Sequence, residues 1–151
     1  MKEIKNILVP IDFSDNSKKI LHSAKFVAGK FSAKLHILFV VQSFDDYSGF
    51  FVPHLPISQF EEEMQQGAEK KMQNFLFENM GETYSGEYES KVVCGDVAGE
   101  IINYVSEQGV DMIVMGTHGY KGFEKALFGS VAEKVVKTSP CPVLTINPYN
   151  I

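Results

Sequence analysis

Between positions 116 and 130 the chain reads GTHGYKGFEKALFGS, with Gly116, Gly119, Gly122 and Gly129 ahead of Ser130. Glycines let a backbone approach a phosphate closely and turn without a Cβ clash. Gly129-Ser130 also leads into a helical pattern, whose first amides have no intrahelical partner and carry the positive end of the dipole. That combination suits anion binding, and a plain glycine-rich turn with an ordinary N-cap accounts for it equally well. A second candidate is Pro10-Ile11-Asp12-Phe13-Ser14. An Asp just before a helix either caps it or faces a ligand. Ser14 is available to cap, which leaves Asp12 for the ligand. His118 invites a general-base role, but no Ser, Cys or carboxylate is placed in sequence to serve it as a nucleophile. Lys121 offers positive charge to a phosphate, or is simply a solvated loop lysine. His22, His36 and His54 are scattered and read as face residues. GxxxxGK followed by Ser or Thr is absent, as is GxGxxG after the first strand, which disfavours a P-loop NTPase and an ordinary dinucleotide dehydrogenase.

Alternating strands and helices must position these residues. Ile4–Ile11 (IKNILVPI) is a short apolar run, and from Ser14 onward Ile20, Leu21, Ala24, Val27, Ala28 and Phe31 recur with helical period. Leu35–Val41 (LHILFVV) is apolar nearly throughout, as in a strand covered on both faces. Residues 42–57 break any period with Asp45-Asp46, Ser48-Gly49, Pro53 and Pro56, yet carry Phe44, Tyr47, Phe50, Phe51 and Leu55. Such a segment folds over a ligand, covers a partner surface, or packs on itself.

Ser58-Gln59-Phe60-Glu61 has capping-box spacing and opens a long helix with an apolar side of Phe60, Met64, Ala68, Met72, Phe75 and Leu76. Tyr88–Val93 alternates like an edge strand. Asp96 caps a third helix that ends near Gly109. Val110–Met115 is the fourth strand, and Ser130-Val131-Ala132-Glu133 repeats the capping-box spacing before a helix to Thr138. Val143–Ile146 is the fifth strand. Val40 and Met115 are core strand residues whatever the chain binds. The pattern predicts an α/β fold: an open five-stranded parallel sheet, Rossmann-like, with helices on both faces. In such sheets ligands bind beyond the carboxyl ends of the strands, where the order reverses.

The 151 residues form a single domain, 1–151, long enough to bury a real core. Apolar residues make up 44% and charged residues 22%, which excludes wholesale disorder and collagen-like repeats. A net charge of −5 argues against a nucleic-acid surface or binding to an anionic membrane. No apolar run reaches the ~18 residues of a membrane helix. With no signal-peptide pattern and only Cys94 and Cys141, the expectation is a cytoplasmic protein with reduced thiols and no metal site.

One spacing is more specific. Gly116, two residues, Gly119, nine residues, then Gly129-Ser130 resembles the glycine pattern of nucleotide-binding universal stress proteins. The resemblance runs along the whole chain through ILVPIDFS, LHILFVV, VVCGDVAGEII, DMIVMGTHG and SPCPVLTI. It implies the strand order 3-2-1-4-5, with ATP held between the loops after strands 1 and 4. On it, Asp12 accepts from the ribose hydroxyls or the adenine edge, while Pro10, Ile11 and Val40 flank the base. Met115 lies at the strand end beside them, and Gly116 and Gly119 pass under ribose and phosphates. Gly129, Ser130 and Val131 bind phosphates through amides and the Ser130 hydroxyl. Any Mg²⁺ is held mainly by phosphates and water. The resemblance further implies a homodimer paired through Val143–Ile146 and a regulatory role in stress. The chain departs from the usual pattern at Tyr120-Lys121, where family members often carry Arg and a small polar residue. Two rival readings are a same-fold interaction protein without nucleotide and an enzyme, either a slow ATPase or an adenylyl-transferring relative. The second lacks a recognisable Walker-B acid, an HxGH-type signature and a metal cluster.

Overall fold

A computed structural model describes residues 2–42, 57–81, 84–118 and 129–151. Along the chain run β1 (Asn6–Pro10), α1 (Asp15–Phe31), β2 (Lys34–Gln42), α2 (Ile57–Asn79), β3 (Tyr88–Gly95), α3 (Val97–Gln108), β4 (Met112–Gly116), α4 (Ser130–Thr138) and β5 (Val143–Ile146). The strands form one sheet in the order β3-β2-β1-β4-β5, every neighbouring pair parallel. The order reverses between β1 and β4. No helix among the described residues is long and apolar enough to cross a membrane.

Strand alternation sorts the apolar side chains onto two covered faces. Ile7, Val9, Leu35, Ile37, Val41 and Val114 pack with α1 and α2. Leu8, Leu38, Val40, Ile113 and Met115 pack with α3 and α4. This is why the strands read as continuous apolar runs, except at the edge strand β3. At the amino edge, Asp111 Oδ2 accepts from the amides of Lys5 and Asn6, both at 3.0 Å. Those bonds tie the start of β1 to that of β4.

Several local expectations need correction. β1 covers less than Ile4–Ile11, although both end residues are buried. The helix α2 begins at Ile57, one residue ahead of the expected start at Ser58. Ser130 is the first residue of α4 and not its cap: Gly129 holds the cap position without a side-chain bond. Phe31, Phe60 and Met64 have the period of a buried face but stay exposed. Asp96 does cap α3, accepting from Gly99 N at 2.9 Å, and Gly109 ends it with φ +63°. Gly119, Tyr120, Lys121, His54 and nearly all of the 42–57 segment lie outside the described residues.

His36 is not a face residue. It sits in β2 at 3% exposure, with Nε2 3.1 Å from Asn6 Oδ1. Its Nδ1 lies 3.0 Å from the Tyr104 hydroxyl and 2.9 Å from Glu89 Oε1. Glu89 is also paired with Lys34, and Lys91 Nζ stands 5.9 Å over the Tyr104 ring. Burial pushes the His36 pKa below its usual 6.5; Glu89 opposes that shift and Lys34 adds to it. The unfolded chain therefore takes up this proton at a higher pH than the native one. The stability tied to His36 is complete above about pH 6.5 and is lost as pH falls below it. We expect the urea midpoint of the wild type to drop between pH 7.5 and 5.5. The drop should shrink in His36→Gln; an equal drop in both proteins would contradict this account.

Candidate nucleotide-binding site

At the end of β1 the chain turns through a closed ring of hydrogen bonds. Asp12 Oδ1 accepts from Ser14 N at 3.0 Å, from the Ser14 hydroxyl, and from Ser17 Oγ at 2.6 Å. Ser17 Oγ in turn accepts from Asp12 N at 2.8 Å. Ser14 caps α1 by accepting from Ser17 N at 3.2 Å. Ser14 is thus the cap, as its position suggested, but Asp12 is not idle: one oxygen braces the turn. No donor among the described residues reaches its other oxygen, Oδ2.

The turn is fixed by Phe13, a non-glycine residue at φ +63°. Left-handed backbone costs an ordinary residue about 1–2 kcal/mol. Packing holds it there: the Phe13 ring lies 4.4 Å from Phe39 and 5.7 Å from Phe75, centroid to centroid. Phe13→Ala should lose that packing, about 2–4 kcal/mol, while keeping the strain. Phe13→Gly loses the ring but adopts the backbone freely, so it should be the more stable of the two by about 1 kcal/mol. Urea unfolding measures both, and an alanine variant more stable than the glycine one would rule out strain at this position.

Pro10 and Ile11 stand directly before this turn, and Ile11 N donates to Leu38 O at 2.9 Å, joining it to β2. Val40 and Met115, 7% and 5% exposed, lie in the core on the α3–α4 face beneath the carboxyl edge.

Beyond β4, Thr117 gathers the ends of the glycine stretch. Its amide donates to Ile146 O at 2.9 Å, and its carbonyl accepts from Gly129 N at 3.0 Å. Gly116 and Gly129, far apart in sequence, are thereby brought together next to the first turn of α4. A Cβ on Gly116 would meet His118 O and Ile20 Cγ1 at 3.2 Å each, so this glycine is needed for close packing on α1. At Gly129 a Cβ meets only Thr117 O, at 3.7 Å, among the described residues. Packing among the described residues therefore explains the glycine at 116 and does not explain the one at 129.

The first helical bond of α4 runs from Glu133 N to Gly129 O at 3.2 Å. The amides of Ser130, Val131 and Ala132 come before it and point out of the helix end. Ser130 is exposed, its hydroxyl not used as a cap. Glu133, the acidic residue of this first turn, is paired with Lys137 at 2.7 Å. Among the described residues the arrangement offers three amides without a helical partner and a hydroxyl at a positive dipole end, across the β1/β4 reversal from a carboxylate oxygen. It is equipped to hold an anion on one side and hydroxyl or amine donors on the other.

Three residues of this region had no role assigned from the sequence: Thr117 and Phe13, which lie inside the two candidate stretches, and Ser17, which lies outside them. For Ser17 the signal was its place three residues after Ser14, within reach of the same turn. His118 Nδ1 lies 2.9 Å from Thr117 Oγ1, a contact between chain neighbours, and the same hydroxyl reaches Ile146 O at 3.5 Å.

The chain matches the universal stress protein family over residues 3–147. It is 35% identical over 149 residues to universal stress protein MJ0531 of Methanocaldococcus jannaschii, covering 94% of this chain and 81% of that one. Its fold superposes on universal stress protein UspA from Lactobacillus plantarum with a TM-score of 0.79 at 26% identity, over 97% of this chain and 100% of that one. A universal stress protein from Archaeoglobus fulgidus, solved in complex with dAMP, shares the fold with a TM-score of 0.58 at 18% identity, over 97% and 100% of the two chains. The fold order, the glycine spacing and these likenesses agree, and the chain belongs to the universal stress protein family.

Proposed function

We propose that this protein binds ATP at the carboxyl edge of the sheet, between the loops after β1 and β4. It acts there as a cytoplasmic, nucleotide-dependent regulatory module of the stress response. The observation that carries the reading is the Thr117–Gly129 hydrogen bond, which sets the two ends of the glycine pattern beside three open α4 amides. In this reading the Ser130 and Val131 amides and the Ser130 hydroxyl hold phosphate oxygens, and Gly129 leaves them room. Gly116 and Gly119 line the path of ribose and phosphates. Asp12 Oδ2 accepts from the ribose hydroxyls or the adenine edge while Oδ1 keeps the turn in place. Pro10 and Ile11 flank the base, with Val40 and Met115 supporting them from the core. Magnesium, when bound, is coordinated mainly by phosphate and water. The Archaeoglobus protein of the same fold was solved in complex with dAMP, and this reading takes an adenine nucleotide for this chain as well.

The module works as a homodimer through β5. That strand is one of the two sheet edges, Leu144 on it is 39% exposed, and an exposed apolar edge strand is a template for pairing with another chain. The experiment is to denature freshly purified protein and identify the released nucleotide by mass. We expect ATP, with some ADP. Protein that carries no nucleotide, and takes none up when stripped and incubated with ATP, would favour a same-fold interaction module.

A further inference from the structure

Ser17 is the third residue of α1 and is buried, at the head of the stripe that Ile20, Leu21, Ala24 and Ala28 continue into the core. Alanine would suit that place better on two counts: it favours the helix and buries no polar group. The Ser17 hydroxyl does not serve the helix end either, since Ser14 caps α1 by accepting from Ser17 N. Both bonds that the hydroxyl makes among the described residues go to Asp12. It accepts from Asp12 N at 2.8 Å and donates to Asp12 Oδ1 at 2.6 Å.

The two serines therefore hold Asp12 in different ways. Ser14 meets only the carboxylate, through its amide and its hydroxyl. Ser17 meets the amide and the carboxylate together, so it fixes the side chain relative to its own backbone. With three donors on Oδ1, rotation about the Cβ–Cγ bond, which would exchange the two oxygens, is blocked. The same oxygen, Oδ2, is then always the one left to accept from outside the turn. A side chain oriented in advance loses less entropy when a ligand binds it. Resting on the ATP reading above, we propose that Ser17 is a positioning residue for the nucleotide site: its buried hydroxyl acts through Asp12, fixing the carboxylate so that Oδ2 meets the nucleoside.

A double-mutant cycle tests this by ATP calorimetry on stripped, folded protein. Ser17→Ala should weaken ATP about three- to tenfold, the scale of one side chain left to be ordered on binding. In an Asp12→Asn background, where the carboxylate is already lost, the same substitution should change affinity by less than about twofold. Ser17→Thr returns the hydroxyl and should bind within about twofold of wild type; if its added methyl group unfolds the protein, the cycle decides alone. Hydrogen exchange at the Asp12 amide, read without nucleotide, should quicken in Ser17→Ala, because that amide loses its acceptor. Wild-type affinity in Ser17→Ala, or an equal loss in both backgrounds, would overturn the role of Ser17. A folded Ser17→Thr that binds as weakly as Ser17→Ala would do the same. Wild-type protein that binds no ATP is a separate result, which sinks the nucleotide reading itself and this inference with it.

Discussion

Replacing Gly129 by valine should abolish ATP binding, by more than a hundredfold in affinity, while the protein still folds. A Cβ at this position meets only Thr117 O at 3.7 Å among the described residues, an ordinary contact. The backbone lies outside the left-handed region, so a side chain brings no strain of that kind. Exchanging glycine for a β-branched residue at a helix N-cap costs about 1 kcal/mol, or roughly 2–4 °C in a domain of this size. The two methyl groups stand where phosphate oxygens must approach the Ser130 and Val131 amides. Calorimetric titration of Gly129→Val with ATP, alongside its melting curve, checks both halves. Near-wild-type affinity would mean that the phosphates lie elsewhere. Collapse of the fold would mean that Gly129 is there for packing, as Gly116 is.

The ATP reading gives Asp12 a second task beside bracing the turn, and two substitutions separate the two. Asp12→Ala removes the acceptor of three hydrogen bonds in the β1–α1 turn, which should cost about 2–3 kcal/mol of stability. It should also weaken ATP. Asp12→Asn keeps an oxygen that can accept from Ser14 and Ser17, so its stability should stay within about 1 kcal/mol of wild type. The amide that replaces Oδ2 is a donor where the ribose also presents donors, and the negative charge is gone. ATP affinity in Asp12→Asn should therefore fall by about 1.5–3 kcal/mol, ten- to a hundredfold. Urea unfolding and ATP calorimetry on both variants decide the matter. If Asp12→Asn loses stability but not affinity, Asp12 is a structural brace and nothing more.

The sheet was legible because its strands are covered on both faces, so apolar runs such as LHILFVV and DMIVM stood out against helical periods. Element ends were less legible, since they depend on contacts from elsewhere in the chain. The capping-box spacing at Ser130 misled because Thr117 O captures the Gly129 amide and α4 starts one residue beyond it. Asp12 and Ser14 looked like competitors for one cap. They became partners because Phe13 takes a left-handed conformation that only Phe39 and Phe75, distant in sequence, make affordable. His36 carried a signal that was passed over: a lone histidine inside an unbroken apolar strand needs buried polar company. Glu89 and Tyr104 supply it from β3 and α3.

The most direct test of the central claim is the melting midpoint of nucleotide-stripped protein with and without ligand. A ligand that binds only the native state adds RT ln(1 + [L]/Kd), about 2.7 kcal/mol at a hundred times Kd. Each kcal/mol raises the midpoint of a domain this size by roughly 2–4 °C. With Kd near ten micromolar, millimolar ATP with Mg²⁺ should therefore raise it by about 5–10 °C. ADP should act in the same direction but less, because the α4 amides then meet fewer phosphate oxygens, and GTP should do little. An unchanged midpoint with all three nucleotides, in stripped and folded protein, would contradict the account.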